Sequence, residues 1–339
     1  MSYWVLLLSV LVLSFLMTVA LRRYAISQSL MDVPNARSSH SVPTPRGGGV
    51  AIVLAFLMAL PVAYGFELVS LELLVGSLGA GGLVAIIGFL DDHGHIAARW
   101  RLLGHFAAAA WGLYWLQAAP ALMIFGSVFD LGAVGYVLAA LYLVWMLNLY
   151  NFMDGIDGLA SLEAITVCLG SCVLYWLIGM PGLIWGPALL ALAVAGFLFW
   201  NFPPARIFMG DAGSGFLGMQ LGLLSLHAMN AQPSLLWAWI ILLGSFIVDA
   251  TFTLARRLLR GDKVYEAHRS HAYQYASRQF GKHRPVTLAI TAINLFWLLP
   301  MAVVVVKGGV DAIFGVVIAY VPLVLLAVKF KAGEKEHAS

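Results

Sequence analysis

Apolar residues run in long stretches along this chain, and polar residues gather in short segments between them. A helix needs about 20 predominantly apolar residues to cross roughly 30 Å of hydrocarbon. Stretches of that order recur at 3–21, 49–66, 72–90, 102–118, 134–150, 159–178, 184–200, 213–229, 235–254, 286–305 and 312–329. The pattern predicts an all-α polytopic membrane protein with about 11 transmembrane helices. An odd number of spans puts the two termini on opposite sides. The first stretch ends in Arg22 and Arg23 with no small-residue cleavage site, so it reads as a retained helix and not a cleaved signal peptide. No internal repeat, long low-complexity tract or separately folding soluble segment interrupts the pattern. Residues 1–339 therefore read as one integral membrane domain, its active-site loops expected at 22–48, 91–101, 151–158, 201–212 and 255–285.

Composition agrees: 62% of the 339 residues are hydrophobic and 10% charged, against about 25% charged in an average soluble domain. Charge then sets orientation, because cytoplasmic loops carry the excess of Lys and Arg. Of the 19 basic residues, all but Lys307 fall in loops on one side. The N-terminus is thus expected in the periplasm and the C-terminus, with the polar loops, in the cytoplasm. Cys168 and Cys172 lie one turn apart inside a predicted span, where they suit a packing face better than a metal site or disulfide.

The acids carry the chemistry. Asp91 and Asp92 follow the third span in GFLDDHGHIAARWR, Asp154 and Asp157 follow the fifth in NLYNFMDGIDGLAS, and Asp211 follows the seventh in RIFMGDAGSG. Each taken alone reads as a helix cap or a solvated loop residue. Together, three non-adjacent loops bring carboxylates to one membrane face. Two like charges 4 Å apart repel by about 4 kcal/mol at an effective dielectric near 20, so converging carboxylates call for a cation or raised pKa values. Mg²⁺ suits them, since it takes one or two carboxylates and completes its shell with phosphate and water. Gly155, Gly158, Gly210 and Gly213 leave room for close backbone approach by a phosphate.

Other polar features are weaker. The loop from Arg256 to Arg284 is strongly basic and suits anionic lipid headgroups and cytoplasmic retention. Within it, His268, Arg269 and His271 offer donors suited to a pyrophosphate or phosphosugar, and a helix here would put both imidazoles on one face. Arg46, Gly47 and Gly48 open the second span, where a phosphate or a simple turn is accommodated. Asp249 sits inside a span, as a functional acid or a partner for neighbouring helices. The Gly218/Gly222 GxxxG reads as a packing face, with a homodimer as its other use.

In order and spacing, PRGGG at 45–49, DD at 91–92, NxxNxxDGxDGLA at 148–160, FMGDAGS at 208–214 and the His motif at 268–271 resemble the polyprenyl-phosphate N-acetylhexosamine-1-phosphate transferase family, of glycosyltransferase 4 type. The resemblance covers nearly the whole chain and implies a bacterial inner-membrane enzyme. It would use Mg²⁺ or Mn²⁺, a UDP-N-acetyl sugar donor and undecaprenyl phosphate as acceptor, releasing UMP, with membrane lipid and no nucleic acid as further company. It implies a metal ligand at Asp211, and metal binding or acceptor activation at Asp91 and Asp92. Asn148, Asn151, Asp154 and Asp157 match the nucleotide and metal neighbourhood, and Arg101 a basic residue after the DD loop. HRSH replaces the run of adjacent histidines usual in the family, and HRSHAYQ looks most like the branch that initiates O-antigen. An anion transporter is the rival reading, although it expects acids near the midplane and paired broken helices. A phosphatidyltransferase is a third, expecting its aspartates in one contiguous motif.

Overall fold

The computed structural model describes residues 3–34, 39–94, 96–117, 121–263 and 268–335. Predicted loops 22–48 and 255–285 each include four residues outside this set, and 91–101 includes one. Eleven helices or helix pairs match the eleven apolar stretches. They are α1 (Tyr3–Ser27), α2 (Val50–Gly65), α3 (Leu71–His93), α4 (Ala98–Leu116), α5 (Gly132–Met153), α6 (Leu159–Leu177), α7 (Trp185–Asn201), α8 (Asp211–Ala231), the pair α9 (Ser234–Leu242) and α10 (Gly244–Leu259), the rod of α12 (His283–Ile293) and α13 (Leu299–Val306), and α14 (Ala312–Lys329). Between α10 and α12 lies α11 (Ala272–Phe280), and a π-helical turn at Asn294–Leu298 joins α12 to α13. Among the described residues there are also two short antiparallel pairs, β1 (Met31–Asp32) with β2 (Thr44–Pro45) and β3 (Ala121–Ile124) with β4 (Ser127–Asp130), and a 3-10 turn at Pro181–Leu183.

This is an all-α polytopic membrane protein. Among the described residues, seven helical rods are long and apolar enough to cross a bilayer, and an eighth counts if α9 and α10, bent by 75°, form one broken span. The stretches at 49–66, 102–118 and 213–229 fall short of that test for identifiable reasons. α2 has only 16 residues. α4 begins with Arg99 and Arg101, and α8 carries Asp211, Gln220, His227 and Asn230.

α8 can afford those polar groups because it is buried along most of its length, packed against α3, α5, α2 and α4. A Cβ on Gly218 would stand 2.4 Å from the carbonyl oxygen of Met146, and one on Gly222 would stand 2.7 Å from a methyl of Leu143. The GxxxG face is therefore spent on α5 inside the chain, which removes the sequence's ground for a homodimer. The outer faces of α1, α5 and the α12–α13 rod expose large apolar side chains such as Leu8, Leu16, Leu141 and Phe296, as lipid contact requires.

The chain after α14 folds back over the end of α10. Gly333 N–H donates to the carbonyl of Ser270 at 2.7 Å. Arg256 donates to Ala332 O (3.1 Å) and Glu334 (2.9 Å), and Arg260 to Gly333 O (2.6 Å).

Candidate active site

The site forms where the C-terminal ends of α3 and α5 meet the N-terminal ends of α2 and α8. Local sequence explains the meeting. Residues 45–49 run beside 208–209 like a short ribbon, with Phe208 N–H donating to Pro45 O (2.8 Å), Gly48 N–H to Phe208 O (2.9 Å) and Gly49 N–H to Met209 O (2.8 Å). A Cβ on Gly49 would lie 2.5 Å from the Cα of Gly213. The glycine run thus lets two backbones touch. The amides of Gly48 and Gly49 are committed to that ribbon, and Gly47 takes its positive φ of 94° where the chain turns.

Asp92 joins α3 to α8. Its Oδ1 accepts from Asp211 N–H at 3.1 Å and its Oδ2 from Ala212 N–H at 3.3 Å, so it caps the N-terminus of α8. The same carboxylate pairs with Arg46, and Arg46 reaches Asp211 at 3.4 Å. Arg101 pairs with Asp91 and stands 3.9 Å from Asp211. Asp91 also accepts from Ile96 N–H at 2.9 Å. The result is a row of alternating charge, Asp92, Arg46, Asp211, Arg101, Asp91, with Asp211 at its centre. Asp91 and Asp92 are the buried ends of that row, at 8% and 4% side-chain exposure, whereas Asp211 is 30% exposed.

Asp211 opens into a cavity of about 280 Å³ that Arg46, Asn151, Asp154, Asp157 and Ser214 also line. Asn151 donates to Ser214 Oγ at 3.1 Å. Asp157 is held by Ala205 N–H (2.9 Å) and by His283 (3.1 Å). Burial first, and then the charges of Asp211 and Asp92, push the Asp154 carboxyl well above its ordinary range. Burial and Asp92 raise Asp211 too, against the opposing pull of Arg46. Burial and crowding by neighbouring carboxylates thus disfavour full ionisation on the cavity side, even with Arg46 in place. Among the described residues, no three His, Cys, Asp or Glu side chains come together as a closed metal-binding group. A divalent cation here would complete its shell from phosphate and water, as Mg²⁺ does. That donor chemistry fits Asp211 and Asp154.

Several expected residues lie elsewhere. Asn148 turns back to the carbonyl of Val144 in its own helix (2.7 Å) and does not line the cavity. His268–Ser270 are not helical and His271 is the extended residue just before α11, so the helical face expected for the two imidazoles is absent. A turn stacks the rings instead, with centroids 5.0 Å apart. Arg269 accepts from Arg278 at its carbonyl (3.1 Å). Asp249, from α10, reaches this loop and bonds His271.

The cavity also gathers residues that the sequence reading passed over: Asp32, His40, Asn201, Gln274 and His283. Asn201 accepts from Gly158 N–H at 3.0 Å and donates to Ile207 O at 3.1 Å, tying two acid-bearing loops. His283 donates from Nε2 to Ser39 O (2.8 Å), and its Nδ1 stands 3.1 Å from the Asp157 carboxylate. Their one sequence signal was position, in or beside polar loops.

The glycosyl transferase family 4 profile matches residues 74–229. A probable undecaprenyl-phosphate N-acetylglucosaminyl 1-phosphate transferase of Bacillus subtilis is 32% identical over 305 residues, 87% of this chain and 82% of the relative. The chain belongs to glycosyl transferase family 4. An undecaprenyl-phosphate alpha-N-acetylglucosaminyl 1-phosphate transferase of Thermotoga maritima is 27% identical over 86% of this chain and 88% of its own length. A phospho-N-acetylmuramoyl-pentapeptide-transferase of Heliobacterium modesticaldum is 35% identical over 61% of this chain and 67% of the relative. The family region runs from α3 through most of α8, and so contains Asp91, Asp92, Asn151, Asp154, Asp157 and Asp211. Membership in glycosyl transferase family 4 leaves the transporter reading without support.

Proposed function

We propose that this chain transfers an N-acetylhexosamine 1-phosphate from a UDP-sugar to undecaprenyl phosphate, yielding undecaprenyl-diphospho-sugar and UMP. The observation that carries the reading is the acid-rich cavity at the end of the bundle, where Asp154 and Asp211 crowd beside Arg46. Relatives named as transferases of the same class, aligned over most of the chain, support it. Orientation belongs to the proposal: about eleven spans, N-terminus periplasmic, and the cavity opening to the cytoplasm of a bacterial inner membrane, in line with the one-sided Lys and Arg loops. The pathway assignment is initiation of O-antigen or a related surface polysaccharide, for which HRSHAYQ is the support.

Phosphoryl transfer asks the protein mainly for positioning and charge neutralisation. Mg²⁺, held by Asp211 and Asp154, would supply Lewis-acid neutralisation of the donor pyrophosphate. Arg46 and Arg101, already beside Asp211, neutralise further phosphate charge. An acceptor phosphate oxygen forms the new bond to the β-phosphorus, the bond from that phosphorus to the oxygen bridging to the α-phosphorus breaks, and UMP leaves with the electron pair. A phosphate monoester with a second pKa near 6 is largely dianionic at neutral pH, so no side chain needs to remove its proton. Asp91, paired with Arg101 and accepting a backbone N–H, suits holding Arg101 in place. Asp92 likewise holds Arg46 and α8, and the metal role read for it from sequence passes to Asp154.

The test is purified protein with Mg²⁺, undecaprenyl phosphate and a panel of UDP-N-acetyl sugars, with UMP release as the readout. Release that requires both lipid and one of the donors is expected. Folded protein that releases no UMP with any donor would end the reading.

A further inference from the structure

Asp249 lies outside the acid-rich cavity and outside the mechanism above. It is buried, and it is heavily used. Its Oδ1 accepts from Ala272 N–H (2.9 Å) and Thr253 Oγ1 (3.1 Å) and faces His271 Nδ1 at 3.3 Å, while its Oδ2 accepts from Tyr273 N–H (3.0 Å). One carboxylate on α10 thus caps the first turn of α11 and grips the imidazole of the residue before it.

The bend in the fold explains how it gets there. α9 and α10 meet at 75°, so α10 leaves the line of the span and carries Asp249 beneath the 268–281 segment. α11 in turn packs on the loop that bears Asp154. The Tyr273 hydroxyl donates to Phe152 O at 2.8 Å, and a Cβ on Gly155 would stand 2.2 Å from that hydroxyl. Gln274, one position further on, accepts from His271 N–H at 3.3 Å and lines the cavity. His268 stacks on His271, and Phe152 and Tyr273 lie against His271 at 6.4 and 5.7 Å between centroids.

The geometry points to Asp249 as a positioning residue for the transfer reaction, acting through His271: it fixes the ring's Nδ1–H on the carboxylate, and so turns Nε2 to the other edge, while anchoring the helix that supports the Asp154 loop. A carboxylate behind an imidazole selects its tautomer and orientation. This rests on the transferase reading for its effect on rate, although the contact itself does not.

Asp249→Asn is nearly isosteric but uncharged, and it leaves one acceptor oxygen where the carboxylate has two, so it cannot keep His271 Nδ1, Ala272 N–H and Tyr273 N–H together. His271→Gln severs the same pair from the loop side, in case the buried substitution costs the fold. Both are expected to lower kcat for UMP release by roughly 10²-fold, the scale of a catalytic group slightly misplaced, and the double variant is expected to lose no more than either single. Losses that multiply, or full turnover in either single, would overturn the assignment. Hydrogen–deuterium exchange supplies a readout independent of turnover. Residues 270–276 should exchange faster in Asp249→Asn with α14 unchanged, and equal exchange in both regions would overturn the clamp. Absence of UMP release by the wild-type protein would instead strike the transferase reading, leaving exchange to decide the clamp.

Discussion

Asp92 and Asp211 are neighbours in space with opposite duties. Both oxygens of Asp92 accept from the first amides of α8, whereas Asp211 faces the cavity. Asp92→Ala is therefore expected to lower stability, since loss of such a cap costs about 0.5–2 kcal/mol, and to appear as a lower thermal midpoint in detergent. Asp211→Asn should leave that midpoint nearly unchanged and abolish UMP release. At His268 the sign of the pH response follows from burial. Desolvation first, then the charges of His271 and Arg257, push its pKa down to about 3. The unfolded ring titrates near 6.5, so between those values the unfolded chain binds the extra proton and stability falls as pH falls. Thermal midpoints from pH 7.5 to 5 should decline less steeply in His268→Gln than in the wild type. DGxDG and GDxGS made Asn151, Asp154, Asp157 and Asp211 legible, because each motif carries its acid and its turn together. His283 was not legible: its partners Asp157 and Ser39 come from loops far away in sequence, 244 residues in the case of Ser39.

At the scale of elements, the glycine run at 47–49 was read as room for a phosphate or as a simple turn, and the structure uses it as a turn at Gly47 and as room for another backbone at Gly48 and Gly49. Gly49→Ala would push a methyl to 2.5 Å from Gly213 Cα, where nothing flexible can yield. Overpacking of this kind typically costs about 1–3 kcal/mol, and separating the 45–49 and 208–213 segments would move Arg46 and Asp211 together. Reduced thermal midpoint and reduced turnover are expected in the same variant. Helix existence was legible throughout, because each long apolar stretch has few other ways to bury its backbone polar groups in lipid. The bend between α9 and α10 was not, since an apolar run such as LLWAWIILLGSFIVDA carries no period that marks a break. Of the two roles read for Asp249, partner for a neighbouring helix is the one its bonds to α11 show.

For the whole molecule, orientation is open to direct measurement. Glu67, in the turn between α2 and α3, and Gly281, between α11 and α12, are both exposed. In intact cells a membrane-impermeant thiol reagent should label Glu67→Cys and spare Gly281→Cys until the membrane is opened. Labelling in the reverse sense would invert the proposed topology. Overall charge placement made one membrane face stand out in sequence, but how α3, α5 and α8 converge there depends on which glycines let helices touch, a matter of packing that no charge count contains.

The strap formed by residues 332–334 has a practical side. Ser270, two residues after His268 and one before His271, is held by the amide of Gly333, and Arg256 and Arg260 hold the strap down. Residues 332–334 are consequently a mechanical part of the 268–271 segment. Trimming back to residue 335 leaves the strap whole; trimming to 330 cuts the tether.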